Sequence, residues 1–194
     1  MRKRTGVCMS EPKCPYCNDT GFVYGTIACH KCKPREPKKI ILDACCGSRM
    51  FWFDKNNPLV VWQDNRKESH TLCDGRKLHI CPDIIGDVCD MDFPDKTFKL
   101  VVFDPPHLTS LGKNSWMAKK YGVLQNDWSE WIRKAFTECW RVLDESGVLV
   151  FKWSDIDIKV GDVLKILPKA PLFGHRTMIN NRTIWMCFIK QEAI

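Results

Sequence analysis

Leu100-Val101-Val102-Phe103-Asp104-Pro105-Pro106-His107 is the stretch that decides how this chain folds. Four apolar residues in a row suit a buried strand. They run into an acid, two prolines and a ring. Pro105 and Pro106 lack the N–H that a ladder needs, and each has a fixed φ, so the strand stops with Asp104 at its carboxyl end. In open α/β sheets that edge is where ligands bind.

Outward from this strand, short apolar runs alternate with amphipathic stretches from Ile40 on. Strands are expected at 40–44, 59–63, 83–86, 99–104 and 147–153. Trp128, Ile132, Ala135, Phe136, Cys139 and Val142 follow helical spacing, which predicts a helix over about 126–144 with Asn126 or Asp127 to cap it. A short helix is expected over 160–167. Two further strands, 171–177 and 183–190, flank Asn180-Asn181, a hairpin signal. This alternation predicts an α/β fold: a doubly wound, mostly parallel sheet with a C-terminal β-hairpin, over residues 39–194.

The first 40 residues are different. Cys14-Pro15-Tyr16-Cys17 and Cys29-His30-Lys31-Cys32 are separated by eleven residues. Two such pairs suit two knuckles gripping one tetrahedral metal, and soft thiolates select zinc over magnesium or calcium. Gly21 and Gly25 allow the turn of an intervening hairpin, with a strand at Phe22-Val23-Tyr24. Four protein ligands leave no open position, so the zinc is structural. A block this small buries little apolar area, and the metal supplies most of its folding free energy. Residues 1–38 are therefore expected to form a small zinc-ribbon or knuckle-like module and linker.

Charge follows the same division. The 194-residue chain carries a formal net charge of +7. Residues 1–40 hold nine Lys/Arg against three acids, an excess of six, so one positive charge is left for the remaining 154 residues. Such asymmetry suggests a polyanionic partner. The chain is 44% apolar, which excludes global disorder. No apolar run approaches the ~20 residues of a membrane span. The basic start, Met1-Arg2-Lys3-Arg4, has no apolar run after it and does not resemble a signal peptide. Twelve cysteines, several inside apolar runs, are distributed like the free thiols of a reducing compartment. A cytoplasmic location is the expectation.

Three further segments set Asp104 in context. Ile40-Ile41-Leu42-Asp43-Ala44-Cys45-Cys46-Gly47-Ser48 is a strand entering a tight turn. Leu59-Val60-Val61-Trp62-Gln63-Asp64 closes on an acid about 20 residues later, the place of a ribose-binding acid. Gly86-Asp87-Val88-Cys89-Asp90 then leads to the Pro94-Asp95 turn before the central strand. In this order the segments resemble those of small class I, Rossmann-like S-adenosylmethionine-dependent methyltransferases. Asp104-Pro105-Pro106-His107 resembles their Asp-Pro-Pro-aromatic motif, found in enzymes that modify amino nitrogens of planar substrates. The resemblance covers about residues 40–194. It departs at Arg49, where the family usually has glycine, and at His107, where it usually has Tyr, Phe or Trp.

The resemblance implies cofactor contacts from Asp43 (the ammonium end), Cys45, Gly47 (close backbone approach), Asp64 (ribose) and Asp87 (adenine amine). It implies a catalytic group of Asp104, Pro105, Pro106 and His107. An exocyclic amine is a poor nucleophile because its lone pair is delocalised into the ring. Acceptors at the Asp104 carboxylate and the Pro105 carbonyl would grip its N–H groups and free that pair, with His107 stacked on the ring. Residues 108–124 carry Lys113, Lys119, Lys120, Trp116 and Tyr121 without an acid, which suits either a loop facing nucleic acid or an amphipathic lid. The expected activity is methyl transfer to an exocyclic amine of a base in DNA or RNA. The short chain leaves no second domain to read a long DNA sequence, which favours a structured RNA, a loosely specific DNA activity, or a protein partner that provides specificity. The alternatives are a protein amide or a small planar metabolite as acceptor, and a non-enzymatic zinc-containing nucleic-acid-binding protein.

Overall fold

The computed structural model describes residues 22–23, 27–28, 38–112, 115–124, 126–176 and 182–191. The chain divides into two compact units, Met1–Lys38 and Lys39–Ile194. In the first, β1 (Phe22–Val23) and β2 (Ile27–Ala28) pair antiparallel, with Phe22 opposite Ala28. Cys14, Cys17, Cys29 and Cys32 lie outside the described residues.

The second unit is built on β3 (Ile41–Asp43), β4 (Val60–Asp64), β7 (Ile84–Ile85), β8 (Phe98–Phe103), β9 (Leu143–Ser154), β10 (Phe173–Arg176) and β11 (Thr183–Ile189). These form one seven-stranded sheet in the order β10-β11-β9-β8-β3-β4-β7. The pairs from β7 to β9 are parallel, and β11 runs antiparallel to both its neighbours. This is a Rossmann-like α/β sheet with C-terminal antiparallel strands, as the alternation predicts. From β3 the chain moves outward to β4 and β7, then returns across β3 to β8. The strand order therefore reverses between β3 and β8, which makes their carboxyl ends the topological switch point.

Helix α2 (Trp128–Val142) covers one face of the sheet. Ile132, Ala135, Phe136, Cys139 and Val142 recur every three or four residues and are buried against Leu42, Val101, Phe103, Leu149 and Phe151. Asp127 holds the N-cap position, but its side chain makes no capping bond; its carbonyl accepts from the Trp131 N–H at 3.1 Å. Near the other end, Arg141 donates to the Phe93 and Met91 carbonyls at 2.7 and 2.8 Å and to Glu138 and Asp95. That clamp holds the loop after β7 against the helix. Helix α3 (Val160–Ile166) adds Val163 to the same core.

The alternation of strand and helix lapses at three joins, the last of them residues 86–97 between β7 and β8, which hold no helix. Residues 44–59 join β3 to β4 without a helix, and the loop covers the opposite face with side chains instead. Trp52 packs edge-on against Trp62 at 4.9 Å, beside Val60 and Cys46. Between β4 and β7 the chain makes an antiparallel hairpin, β5 (Glu68–Thr71) and β6 (Lys77–Ile80). Its turn is held by the Leu72 N–H on the Arg76 carbonyl at 2.9 Å and by Gly75 at φ 81. Within 108–124 a short helix, α1 (Trp116–Tyr121), is capped by Ser115, whose hydroxyl accepts from the Met117 N–H at 3.2 Å. Residues 177–181, with the Asn180-Asn181 turn, lie outside the described residues. Among the described residues no helix is long and apolar enough to cross a membrane.

Candidate active site

Two cavities meet at the switch point. The inner one, about 210 Å³, lies between the turn after β3, the end of β4 and the residues after β7, and touches Ala44, Asp64, Gly86 and Val88. The outer one, about 30 Å³, touches Gly47, Phe51, Pro105 and Lys120. Cys45, Arg66, Asp104 and Tyr121 line both. Asp104 follows β8 because the two prolines end the strand there, so its carboxyl stands at the junction of the cavities.

The turn after β3 is tied to its neighbours by backbone. The Ala44 N–H donates to the Val102 carbonyl at 2.9 Å, and the Cys46 N–H to the Gln63 carbonyl at 2.8 Å. Gly47, at φ 48, turns its N–H onto Asp64 Oδ2 at 2.8 Å. Arg49 has φ 56, the left-handed conformation that glycine adopts most freely. Its guanidinium is anchored on the Lys55 and Cys81 carbonyls at 2.6 and 2.8 Å and lies 4.3 Å from the Trp62 ring centre. An arginine is thus held in the left-handed region by contacts distant in sequence.

Asp43 is fully buried behind this turn. Trp52 Nε1 donates to its Oδ2 at 2.7 Å, and Oδ1 has no partner among the described residues. Burial pushes its carboxyl up to about 7; the Trp52 bond opposes this and the nearby Asp104 adds to it. Asp64 is 5% exposed, and its Oδ1 accepts from both the backbone N–H and Nε of Arg66, at 3.0 and 3.2 Å. Among the described residues Oδ2 is shown taking the Gly47 N–H alone, which leaves one acceptor site for a ligand hydroxyl. Asp87 is exposed, and its Oδ1 accepts from the Cys89 N–H at 2.9 Å; its neighbours Gly86 and Val88 line the inner cavity.

Lys152, near the end of β9, donates to Asp104 Oδ2 at 2.6 Å. Burial raises the Asp104 carboxyl above its ordinary range, and the lysine charge opposes that rise. His107 is 8% exposed, and its ring lies 5.7 Å from Tyr121 and 6.4 Å from Trp153, centre to centre. Burial lowers its pKa. It lines neither cavity; Tyr121, which it supports, lines both. Gly122 ends α1 at φ 76, and a Cβ there would lie 3.0 Å from Pro106 Cγ. Glycine is therefore what lets α1 close down on the Pro-Pro turn.

Of the expected site residues, the structure brings Asp43, Cys45, Gly47, Asp64, Asp104, Pro105 and Pro106 around the switch point. It places Asp87 at the rim and His107 beneath Tyr121. Sequence reasoning did not single out Arg66, Lys152, Phe51 and Trp52. Arg66 stands two residues after the strand-closing acid, which is the one local signal any of them carried.

No family model matches the chain, and no curated protein does. Among solved structures it is similar to the crystal structure of PH0226 protein from Pyrococcus horikoshii OT3, at a TM-score of 0.50 and 14% identity, over 80% of this chain and 83% of that chain. A likeness at that identity shows the Rossmann-like fold alone.

Proposed function

We propose that this chain is an S-adenosylmethionine-dependent methyltransferase acting on an exocyclic amino nitrogen of a base in DNA or RNA. One observation carries this: an inner cavity bounded by Asp64 and the 44–48 turn opens, at Asp104, into an outer slit floored by Pro105. The donor set fits the cofactor. Asp43 is buried behind the turn and lines neither cavity, so it would meet the cofactor's ammonium through water, while the acceptor site on Asp64 Oδ2 suits a ribose hydroxyl. When bound, S-adenosylmethionine would supply an electrophilic methyl group on a sulfonium that leaves as a neutral thioether.

The chain's own residues prepare the acceptor. Asp104 and the Pro105 carbonyl oxygen accept the two amine N–H groups, which draws the nitrogen toward tetrahedral geometry and frees its lone pair. Positioning at near-attack distance, about 3–3.5 Å, then matters more than a strong base. The nitrogen, cationic after transfer, gives its surplus proton to the Asp104 carboxylate. The outer slit holds about one water molecule. A base therefore enters only if the turn carrying Phe51 and helix α1 part, and it enters unpaired or flipped from a duplex. Lys119 and Lys120 beside the exposed Trp116 support nucleic acid as the carrier of that base.

The test is incorporation from methyl-labelled S-adenosylmethionine into DNA, ribosomal RNA, transfer RNA and protein, offered separately, with Asp104→Ala as control. Label should enter a nucleic-acid pool and fall about 100-fold or more in the variant. Label in protein alone, or in no pool, would overturn the proposal. The spacing of Cys14, Cys17, Cys29 and Cys32 supports one structural zinc in residues 1–38. Elemental analysis of the full chain should find one zinc per chain; metal-free folded protein would remove this part.

A further inference from the structure

Lys152 stands where it can take part in choosing the acceptor. Its register partner on β11 is Trp185, and its ammonium lies 5.5 Å from the Phe51 ring centre and 5.7 Å from that of Trp185. Phe51 lines the outer slit. The Lys152 and Asp104 side chains are 18% and 14% exposed, so the pair is largely withdrawn from water; Asp104 lines the slit, and a base that enters as Phe51 moves aside reaches the Lys152 ammonium behind it. An ammonium has three protons. One goes to Asp104, and among the described residues no other polar group is shown taking the remaining two.

The site therefore presents a hydrogen-bond acceptor and a charged donor side by side, 2.6 Å apart. A planar acceptor that fills both must carry an N–H next to a lone pair. The Watson–Crick edges of adenine (amine beside N1) and cytosine (amine beside N3) have that order. Guanine places N1–H beside its amine and would set a proton against the ammonium; the other neighbouring nitrogen, N3, is shielded by the sugar. Bases extruded from a strand are read through this edge.

We infer that Lys152 is a specificity-determining residue: it donates to the ring nitrogen next to the target amine and so selects adenine- or cytosine-type acceptors over guanine. This rests on the methyltransferase reading above. The hydrogen bond orients the ring so that its amine meets Asp104 and Pro105. Phe51 and Tyr121, both on the slit, offer faces for the same ring.

Single-base changes in the acceptor test this with the full-length chain. Single-stranded DNA and RNA oligonucleotides carry one adenine, 1-deazaadenine, cytosine, 3-deazacytosine or guanine, and transfer of labelled methyl is followed in wild type, Lys152→Met and Lys152→Arg. Each deaza base keeps the amine and loses the ring lone pair. In wild type the deaza change should lower kcat/KM about 10- to 100-fold, as expected for one hydrogen bond to a charged group. Lys152→Met should lower transfer to the parent base by a similar factor and then be indifferent to the deaza change, the mark of two groups that act on each other. Lys152→Arg should recover part of the loss. An undiminished deaza penalty in Lys152→Met, no deaza penalty in wild type, or a preference for guanine would overturn the inference. If Lys152→Met fails to fold, the wild-type deaza contrast still decides. Label entering no strand from the wild type removes the methyltransferase reading together with this one, whereas label without a deaza penalty removes this one alone.

Discussion

Asp43 is fully buried, with one carboxylate oxygen on Trp52 and the other without a partner among the described residues. In the unfolded chain its carboxyl ionises near 4, and in the folded chain it stays protonated to about 7. Between those values the folded state holds more protons than the unfolded one, so stability falls as pH rises through the window. Asp43→Asn removes that penalty but buries an unpaired amide N–H. It should therefore stabilise the ligand-free protein by about 1–3 kcal/mol at pH 8 and destabilise it by a similar amount near pH 4, where only the cost of the unpaired amide remains. Denaturant titrations across this range check it; equal destabilisation at both ends would show that ionisation of Asp43 costs nothing. The wild type should bind S-adenosylmethionine more weakly as pH falls below about 7, because the ammonium needs the ionised carboxylate. Arg49 shows the limit of reading one residue at a time. Its departure from glycine is visible in the sequence. The carbonyls that hold it in the left-handed region lie six and 32 residues away, where no local pattern points.

At the scale of elements, what periodicity could carry was legible. The apolar positions of α2 recur as a helix requires, and β3, β4 and β8 each end where an acid or proline stops them. The β5–β6 hairpin went unread although Asp74-Gly75 is a turn signal, because β5 (Glu68-Ser69-His70-Thr71) has no apolar residue and the two of β6, Leu78 and Ile80, make no run. Helix α1 has six residues, too short for a period to emerge. Its stability is tertiary: Ala118 is buried, and the Leu124 N–H donates back to the Leu108 carbonyl at 2.9 Å. The loop of 44–59 replaces a helix for a related reason. Phe51 and Trp52 cover the sheet through ring contacts with Trp185 and Trp62, and such contacts have no sequence spacing.

Across the whole molecule, the acids that close β3, β4 and β8 could be placed before any coordinates, because strand order in a doubly wound sheet brings their carboxyl ends to one edge. The groups that modify those acids could not. Lys152 is 48 residues from Asp104 and arrives through the parallel pairing of β8 and β9. Arg66 reaches from the end of β4 to the Lys119 carbonyl at 3.0 Å, and so ties Asp64 to α1. The central claim is that the cavity between these elements holds S-adenosylmethionine. Calorimetric titration of that compound into the full chain at pH 8, beside an Asp64→Ala variant that still melts cooperatively, tests it most directly. One-to-one binding in the wild type, weakened about 10-fold or more in the variant, is expected. No binding to the wild type, or equal binding to both, would contradict it.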